Sequence, residues 1–477
     1  MVVKVDNRRD ASDIPTPLTD WHNYGGLTRD VLLLQVPETY VRAYELRLEA
    51  EPGDRVVGWV EVEGSGLPAA VSVAIPELGV AVSSTTGADG RAAFSIPVTP
   101  ERWSPANPRL YRVVVATGEQ RIDDAIGFRT LAVADGQILL NDAPVYLRGI
   151  SIHDERLDGG GRASSADHAE ATLGLALELG CNFVRLSHYP HPEAMARVAD
   201  RLGLLVWAEL PVYWNVAFDD ELTLELGRRM FSELISRDRN RASVVFWSLG
   251  NETPAGEQRD RFFAALADHV RTEDPSRLLT AALLTGPESL APFVARYYLP
   301  ALLGWSRAEW SFRIDDGLEQ IVDVPALNEY FGWYYSGALG LMTPFSSRYA
   351  RQVMLDNMDR IRFETAGGKP LIVSELGAGA KAGLHARPGE MRIYSEEYQA
   401  EVYRRQIAML ARQRNVRGLS PWVLKDFRAP LRLYQGVQDY WNRKGLVSET
   451  GEKKLAFGVL QAHYAELAGR AGAAPGG

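Results

Sequence analysis

The stretch Ser243-Val-Val-Phe-Trp-Ser-Leu-Gly-Asn-Glu252 decides how the chain is read. Its segment Val244–Leu249 is an apolar run too short for a helix and rich in β-formers, which predicts a strand buried on both faces. The run stops at Gly250, Asn251 and Glu252, and Thr253-Pro254 breaks the pattern. A carboxylate just past the C-terminal end of a buried parallel strand stands where α/β barrels carry chemistry. Taken alone, Glu252 reads as a surface loop residue. A second copy of the arrangement weighs against that: Leu371-Ile-Val-Ser-Glu375 is again an apolar strand ending in Glu, followed by Leu376-Gly-Ala-Gly379. Two carboxylates at the mouths of two strands suggest an acid/base and nucleophile pair.

Outward from these strands the rhythm is βα. From about residue 133, short apolar runs alternate with longer amphipathic stretches, as a parallel sheet requires. Eight strands are expected, at Val145–Arg148, Phe183–Leu186, Leu204–Ala208, Val244–Leu249, Leu278–Ala281, Ala326–Leu327, Leu371–Ser374 and Gly418–Val423. Helical patterns such as Ala166–Leu179, Pro192–Leu202, Leu222–Arg237 and Gln258–Thr272 lie between them. Eight such units predict a closed (β/α)8 barrel over 133–468, with 282–325 and 376–395 as rim loops. The Gly/Ala-rich 469–477 is expected to be a disordered tail.

Before residue 133 the periodicity is two. Tyr44–Leu48, Val56–Glu63, Val71–Ile75, Ala92–Ile96 and Leu110–Ala116 alternate apolar and polar, separated by turns such as Pro52-Gly-Asp54 and Ala88-Asp-Gly90. The pattern predicts an immunoglobulin-like β-sandwich over 41–132. Residues 1–40 hold two β-like pieces, Val2–Val5 and Val31–Gln35, too little to bury a core of their own.

Composition narrows the class. A net charge of −9 argues against a nucleic-acid or anionic-membrane partner. The single cysteine, Cys181, excludes an internal disulfide, and its apolar neighbours mark it as a packing residue. No run is long enough to span a membrane, and the first residues lack the apolar region of a signal peptide, so the default expectation is cytoplasmic.

The conspicuous polar motifs all fall at the expected C-terminal strand ends, where a barrel would gather them on one face. They are Arg148-Gly-Ile-Ser-Ile-His153-Asp154, Arg185-Leu-Ser-His188-Tyr-Pro-His191, Trp207-Ala-Glu209, Asn251-Glu252, Asn328-Glu-Tyr330-Phe-Gly-Trp-Tyr334, Glu375, and Trp422 with Lys425 and Asp426.

These pieces resemble glycoside hydrolase family 2, the group holding β-galactosidases, β-glucuronidases and β-mannosidases. The resemblance rests on Leu147-Arg-Gly-Ile150, Asn182–Pro190, Val245–Glu252, Ser374-Glu-Leu-Gly377 and Trp21-His-Asn-Tyr-Gly-Gly-Leu-Thr-Arg-Asp30, five motifs in order along almost the whole chain. It implies a retaining hydrolase with Glu252 as general acid/base, Glu375 as nucleophile and Asn251 on the sugar 2-hydroxyl. Asn442-Arg-Lys444 resembles the Asn-x-Lys motif of β-glucuronidases, where amide and ammonium hold the uronic acid carboxylate; charge-assisted hydrogen bonds there discriminate against a neutral sugar. The resemblance also implies that Asn328, Tyr330, Tyr334 and Trp422 bind sugar. It places His153, Asp154 and His188 around the pocket, and uses Arg185 to keep the nucleophile ionised.

This chain departs from the family in three places. Gln438 stands where some glucuronidases have an Arg four residues before the Asn, and Ser420–Phe427 differs from the usual strand-eight segment. The match also starts near the end of the family's jelly-roll domain, so 1–40 is expected to be a truncated remnant of it, whose exposure leaves a homo-oligomer open.

The expected activity is therefore release of a terminal β-linked glucuronic or galacturonic acid, without a cofactor or metal. A neutral β-galactosidase is the nearest alternative. A metal-dependent barrel hydrolase using His153, Asp154, His188, His191 and Asp426 lacks the usual His-x-His pair. An inactive carbohydrate-binding protein would not be expected to keep both carboxylates.

Overall fold

The computed structural model describes residues 2–51, 53–336 and 345–473. The period-two region forms two antiparallel sheets. One has three strands, Thr39–Leu48, Arg55–Gly64 and Arg91–Pro97; the other has four, in the order Val80–Thr85, Ala70–Ile75, Tyr111–Thr117 and Gln120–Ile126. Alternate residues of both sheets, among them Val56, Val60, Val73, Ile96, Val113 and Val115, are buried in one shared core. The pattern is that of inward apolar and outward polar side chains.

Eight parallel strands close a barrel: β1 (Leu147–Ile152), β2 (Phe183–Leu186), β3 (Leu205–Glu209), β4 (Val244–Asn251), β5 (Leu278–Leu284), β6 (Val324–Asn328), β7 (Leu371–Glu375) and β8 (Val416–Leu419). The outer apolar face of the strands packs against the surrounding helices. Phe183, Leu205, Trp207, Phe246 and Ile372 fill the interior with Ile138 and Leu140 from the small sheet of Leu131–Ala134, Gln137–Leu140 and Ala143–Pro144. The interior is thus a packed core, and polar chemistry is left to the strand ends.

Five expectations need correction. The first strand begins two residues later than expected and runs to Ile152. The eighth ends at Leu419 rather than Val423, because Pro421 has no N–H to give a ladder. The rim loop 282–325 is a folded insertion, with helix Pro287–Phe293 and strand Trp310–Arg313, which pairs with Ile361–Glu364. Phe293, Tyr297, Trp310, Phe312, Phe331 and Phe363 give it an aromatic core that hydropathy alone did not announce. The helix Leu455–Ala473 runs past the expected start of the tail, and 474–477 lie outside the described residues. No strand forms over 2–38, since Val2, Val3 and Leu32–Leu34 have no described strand beside them and stay exposed.

The N-terminal segment is nonetheless tied to the barrel mouth. The His22 N–H donates to the Arg428 carbonyl at 2.9 Å, Arg29 donates to Asp154 at 2.6 Å, and Trp21 packs edge-on against Tyr213.

Candidate active site

A cavity of about 400 Å³ opens at the C-terminal end of the barrel strands. Glu375, the last residue of β7, is buried in its floor. Its Oε1 accepts from Arg185 Nη1 at 3.0 Å and its Oε2 from the Tyr330 hydroxyl at 2.6 Å. Burial, and next the facing Glu252 charge, push the Glu375 carboxyl above its usual range, while Arg185, His188 and Tyr330 pull it back.

Glu252 directly follows β4 and sits at φ 52°, in the left-handed region that non-glycine residues seldom occupy. Among the described residues its carboxylate has only neutral donors: Trp214 Nε1 at 3.0 Å on Oε2 and Asn328 Nδ2 at 3.0 Å on Oε1. The two carboxylates therefore live in different surroundings. One faces a guanidinium and a phenol, the other an indole and an amide.

A single polar lattice joins them. Arg185, fully buried on β2, also donates through Nη2 to Asn251 Oδ1 at 2.7 Å. Asn328, at the end of β6 and in register with Glu375, donates to both Asn251 at 3.1 Å and Glu252. Beneath lies Glu209, the end of β3, which accepts from Arg185 at 3.1 Å, shares a hydrogen bond with His188 Nδ1 at 2.8 Å, and accepts from Trp207 Nε1 at 2.8 Å. Burial alone would raise Glu209, yet Arg185 and His188 hold it down at about 2. It is thus an ionised carboxylate that fixes the guanidinium. The sequence displayed Glu209 but gave no reason to choose it.

The opposite wall carries cations. Lys444 is 4 % exposed, and its ammonium lies over the rings of Tyr334 at 5.0 Å and Tyr330 at 5.5 Å. Asn442 Oδ1 accepts from the Lys444 N–H at 3.2 Å and lies 3.4 Å from Nζ. The Asn442 amide donates to Asp20 at 3.1 Å, and Asp20 also pairs with Arg432 Nε at 2.9 Å. Trp422 stacks on His188 at 4.7 Å and closes the floor. Asp20, Arg432, Tyr213 and Trp214 line the cavity and were missed in the sequence reading. Asp20 stood one residue before the quoted Trp21 motif. Arg432 lies six residues ahead of Gln438, where no motif pointed.

The structure thus gathers Glu252, Glu375, Asn251, Arg185, His188, Asn328, Tyr330, Tyr334, Trp422, Asn442 and Lys444 in one place. Two expected residues fall outside the cavity. His153 stacks on Phe427 at 3.9 Å and hydrogen-bonds the Tyr189 hydroxyl, one layer behind Trp422, because aromatic rings cover it on the pocket side. Asp154 faces Arg29 and Arg162 and anchors the N-terminal segment instead of facing a sugar. Nor do the side chains of the metal reading converge. His191 hydrogen-bonds the Ser187 carbonyl and Asp426 binds Lys454, and among the described residues no group of three or more His, Cys, Asp or Glu is arranged to hold a metal. No described helix is long and apolar enough to cross a membrane.

Comparison with known proteins bears on this geometry. Residues 131–468 match the model of the glycosyl hydrolases family 2 TIM barrel domain. The chain is 26% identical to a putative β-glucuronidase of Formosa agariphila, over 98% of this chain and 56% of that protein. It is 29% identical to the β-glucuronidase of Mus musculus, over 95% of this chain and 66% of that one. It thus spans between about half and two thirds of the length of these relatives. In fold it is similar to a GH2 β-galacturonidase from Eisenbergiella tayi solved with galacturonate, at a TM-score of 0.77 and 23% identity, covering 97% of this chain and 78% of the other. It is also similar to the β-glucuronidase of Ruminococcus gnavus, at a TM-score of 0.76 and 24% identity, covering 96% and 76%. With the family model covering most of its length and a closed eight-stranded barrel under its carboxylate pair, the chain belongs to glycosyl hydrolase family 2.

Proposed function

We propose that this chain hydrolyses terminal β-linked uronic acids, β-glucuronides or β-galacturonides, from the non-reducing end with retention of configuration. The observation that carries the choice of substrate is Lys444. Its buried ammonium has no carboxylate partner among the described residues, only two aromatic faces and the Asn442 carbonyl oxygen. A buried cation is costly unless something pairs with it. A uronate carboxylate would pair with it, whereas the hydroxymethyl group of a galactoside would leave it unmatched. The named relatives, β-glucuronidases and a β-galacturonidase, support the same reading.

In the mechanism, Glu375 attacks the anomeric carbon while Glu252 gives its proton to the leaving oxygen. Arg185 and Tyr330 hold the attacking oxygens in place and favour their charge. The covalent sugar then removes the negative charge of Glu375, which lets the now deprotonated Glu252 stay ionised and take a proton from a water. That water attacks the anomeric carbon, the bond to Glu375 breaks, and both carboxyls return to their starting states. The Asn251 Nδ2 is buried without a partner among the described residues, which leaves it to donate to the sugar 2-hydroxyl. His188, Trp422 and Tyr334 form the surface beneath the ring.

The same reading divides the chain into a jelly-roll remnant over 1–40, an immunoglobulin-like sandwich over 41–132 and the catalytic barrel over 133–468. Proton NMR of a nitrophenyl β-D-glucuronide reaction tests the mechanism. The β-anomer of the free sugar is expected first, and first appearance of the α-anomer would refute retention.

A further inference from the structure

The backbone around Lys444 rests on a cluster of charged side chains that do not line the cavity. Trp441–Asn442 is a short strand paired with Phe427–Arg428, and Arg443–Lys444 form a turn directly after it. Lys444 lines the cavity with Asn442 beside its ammonium, while Arg443 points back into the protein. There Arg443 Nη1 donates to Asp426 Oδ2 at 3.2 Å and pairs with Glu449. Asp426 Oδ1 accepts from the Gly445 N–H at 2.9 Å and from Lys454 Nζ at 2.7 Å. Lys454 in turn donates to the carbonyls of Ala380 at 2.6 Å and Arg443 at 3.3 Å. The side chains of Asp426 and Lys454 are both 0% exposed.

The fit is close on the backbone side as well. A Cβ on Gly445 would lie 2.2 Å from the Asp426 nitrogen, so the chain after Lys444 rests directly on Asp426. Val423 N–H donates to the Lys444 carbonyl at 3.2 Å, and Leu446 N–H to the Val423 carbonyl at 2.9 Å.

We propose that Asp426, clamped by Lys454 and Arg443, is a positioning residue that sets the specificity of the cavity by aiming Lys444 at the substrate carboxylate. Two arguments support it beyond proximity. A buried ion cluster adds little net stability over apolar side chains of the same size, so its placement under one two-residue element points to geometry. The cluster is also self-neutral, with Asp426 and Glu449 balancing Arg443 and Lys454, so it fixes the Lys444 backbone without consuming the Lys444 charge. Residues that support a binding group from behind hold it within the tolerance that recognition needs.

The inference rests on the uronide reading, and the test separates the two. Kinetics of Asp426→Asn, Lys454→Met, Lys444→Ala and the double variant Asp426→Asn/Lys444→Ala are measured on nitrophenyl β-D-glucuronide, β-D-galacturonide and β-D-galactoside. Asp426→Asn keeps the shape and loses the charge; Lys454→Met removes the clamp from the other side. Each is expected to raise KM for the preferred uronide about tenfold, with kcat held within about threefold and a far smaller change on the galactoside. In the double variant the loss should be no larger than in Lys444→Ala alone, because both act through one contact. Parallel losses on charged and neutral substrates, or additive losses in the double variant, overturn the inference and leave Asp426 a fold-stabilising residue. If Lys444→Ala itself leaves uronide preference intact, the uronide reading fails and this inference with it. If Lys444→Ala abolishes the preference while Asp426→Asn and Lys454→Met preserve it, the inference alone fails.

Discussion

Arg185 Nη1 stands 3.0 Å from Glu375 Oε1, and the same guanidinium reaches Glu209 and Asn251. On the proposed mechanism, one buried cation thus orients the attacking carboxylate, the carboxylate that supports it and the amide beside the acid/base. Replacement by Lys keeps a charge but loses the fork. Arg185→Lys is expected to lower kcat/KM on the preferred uronide about 100-fold. A more weakly held Glu375 ionises at higher pH, so the acid limb of the kcat/KM profile should shift upward. An unshifted limb would place Arg185 outside the nucleophile's ionisation.

The two carboxylates should fail differently. Glu375→Gln is expected to remove turnover to background on every substrate. Glu252→Gln should lose about 100- to 10,000-fold in turnover, the range of one general acid/base. Nitrophenolate leaves without much help, so in Glu252→Gln the second step suffers most and glycosyl-enzyme should accumulate. Intact-protein mass spectrometry of a quenched reaction checks this; a sugar adduct on the Glu375→Gln variant would reverse the assignment.

Two buried glutamates should act on stability with opposite sign. Glu209 is held at about 2, below its unfolded value, so it contributes stability above pH 4.5 that is lost as pH falls toward 2. Glu329 is pushed up to about 8 by burial, with only the Phe331 N–H among the described residues to oppose it. It folds as the neutral acid, so stability declines as pH rises from about 4.5 to 8. Glu329→Gln is expected to raise the melting temperature at pH 8 by several degrees and leave it nearly unchanged at pH 4. An equal shift at both pH values would mean that Glu329 folds charged.

The Asp20 carboxylate occupies the amide of Asn442 and pairs with Arg432. Asp20→Asn would free Arg432 and loosen the wall opposite the catalytic pair. KM on uronides is expected to rise about tenfold while Glu252 and Glu375 still act, so kcat should fall much less. A loss confined to kcat would contradict a wall role.

Much of this was legible because barrel chemistry sits at strand ends. The runs that close in Glu252 and Glu375 declared both the barrel and the carboxylates, and β2 was placed to the residue. What sequence could not show was depth. His153 and His188 carry equal chemical promise in the chain, yet one ring meets Trp422 edge-on from behind and the other lines the cavity. Asp154 looked like a ligand until Arg29, 125 residues away, was seen to claim it. Asp20 and Arg432 meet across 412 residues, a distance no local pattern spans. The aromatic core of 287–363 was hidden because its rings are scattered through a segment of no fixed period.

The most direct test of the account is uronide selectivity with and without Lys444. Wild-type chain and Lys444→Ala are compared on nitrophenyl β-D-glucuronide, β-D-galacturonide and β-D-galactoside. Wild type should prefer a uronide by about 100-fold or more, and Lys444→Ala should lose most of that preference while retaining turnover of the galactoside. A wild-type preference for the galactoside, or a uronide preference untouched by the substitution, would contradict it.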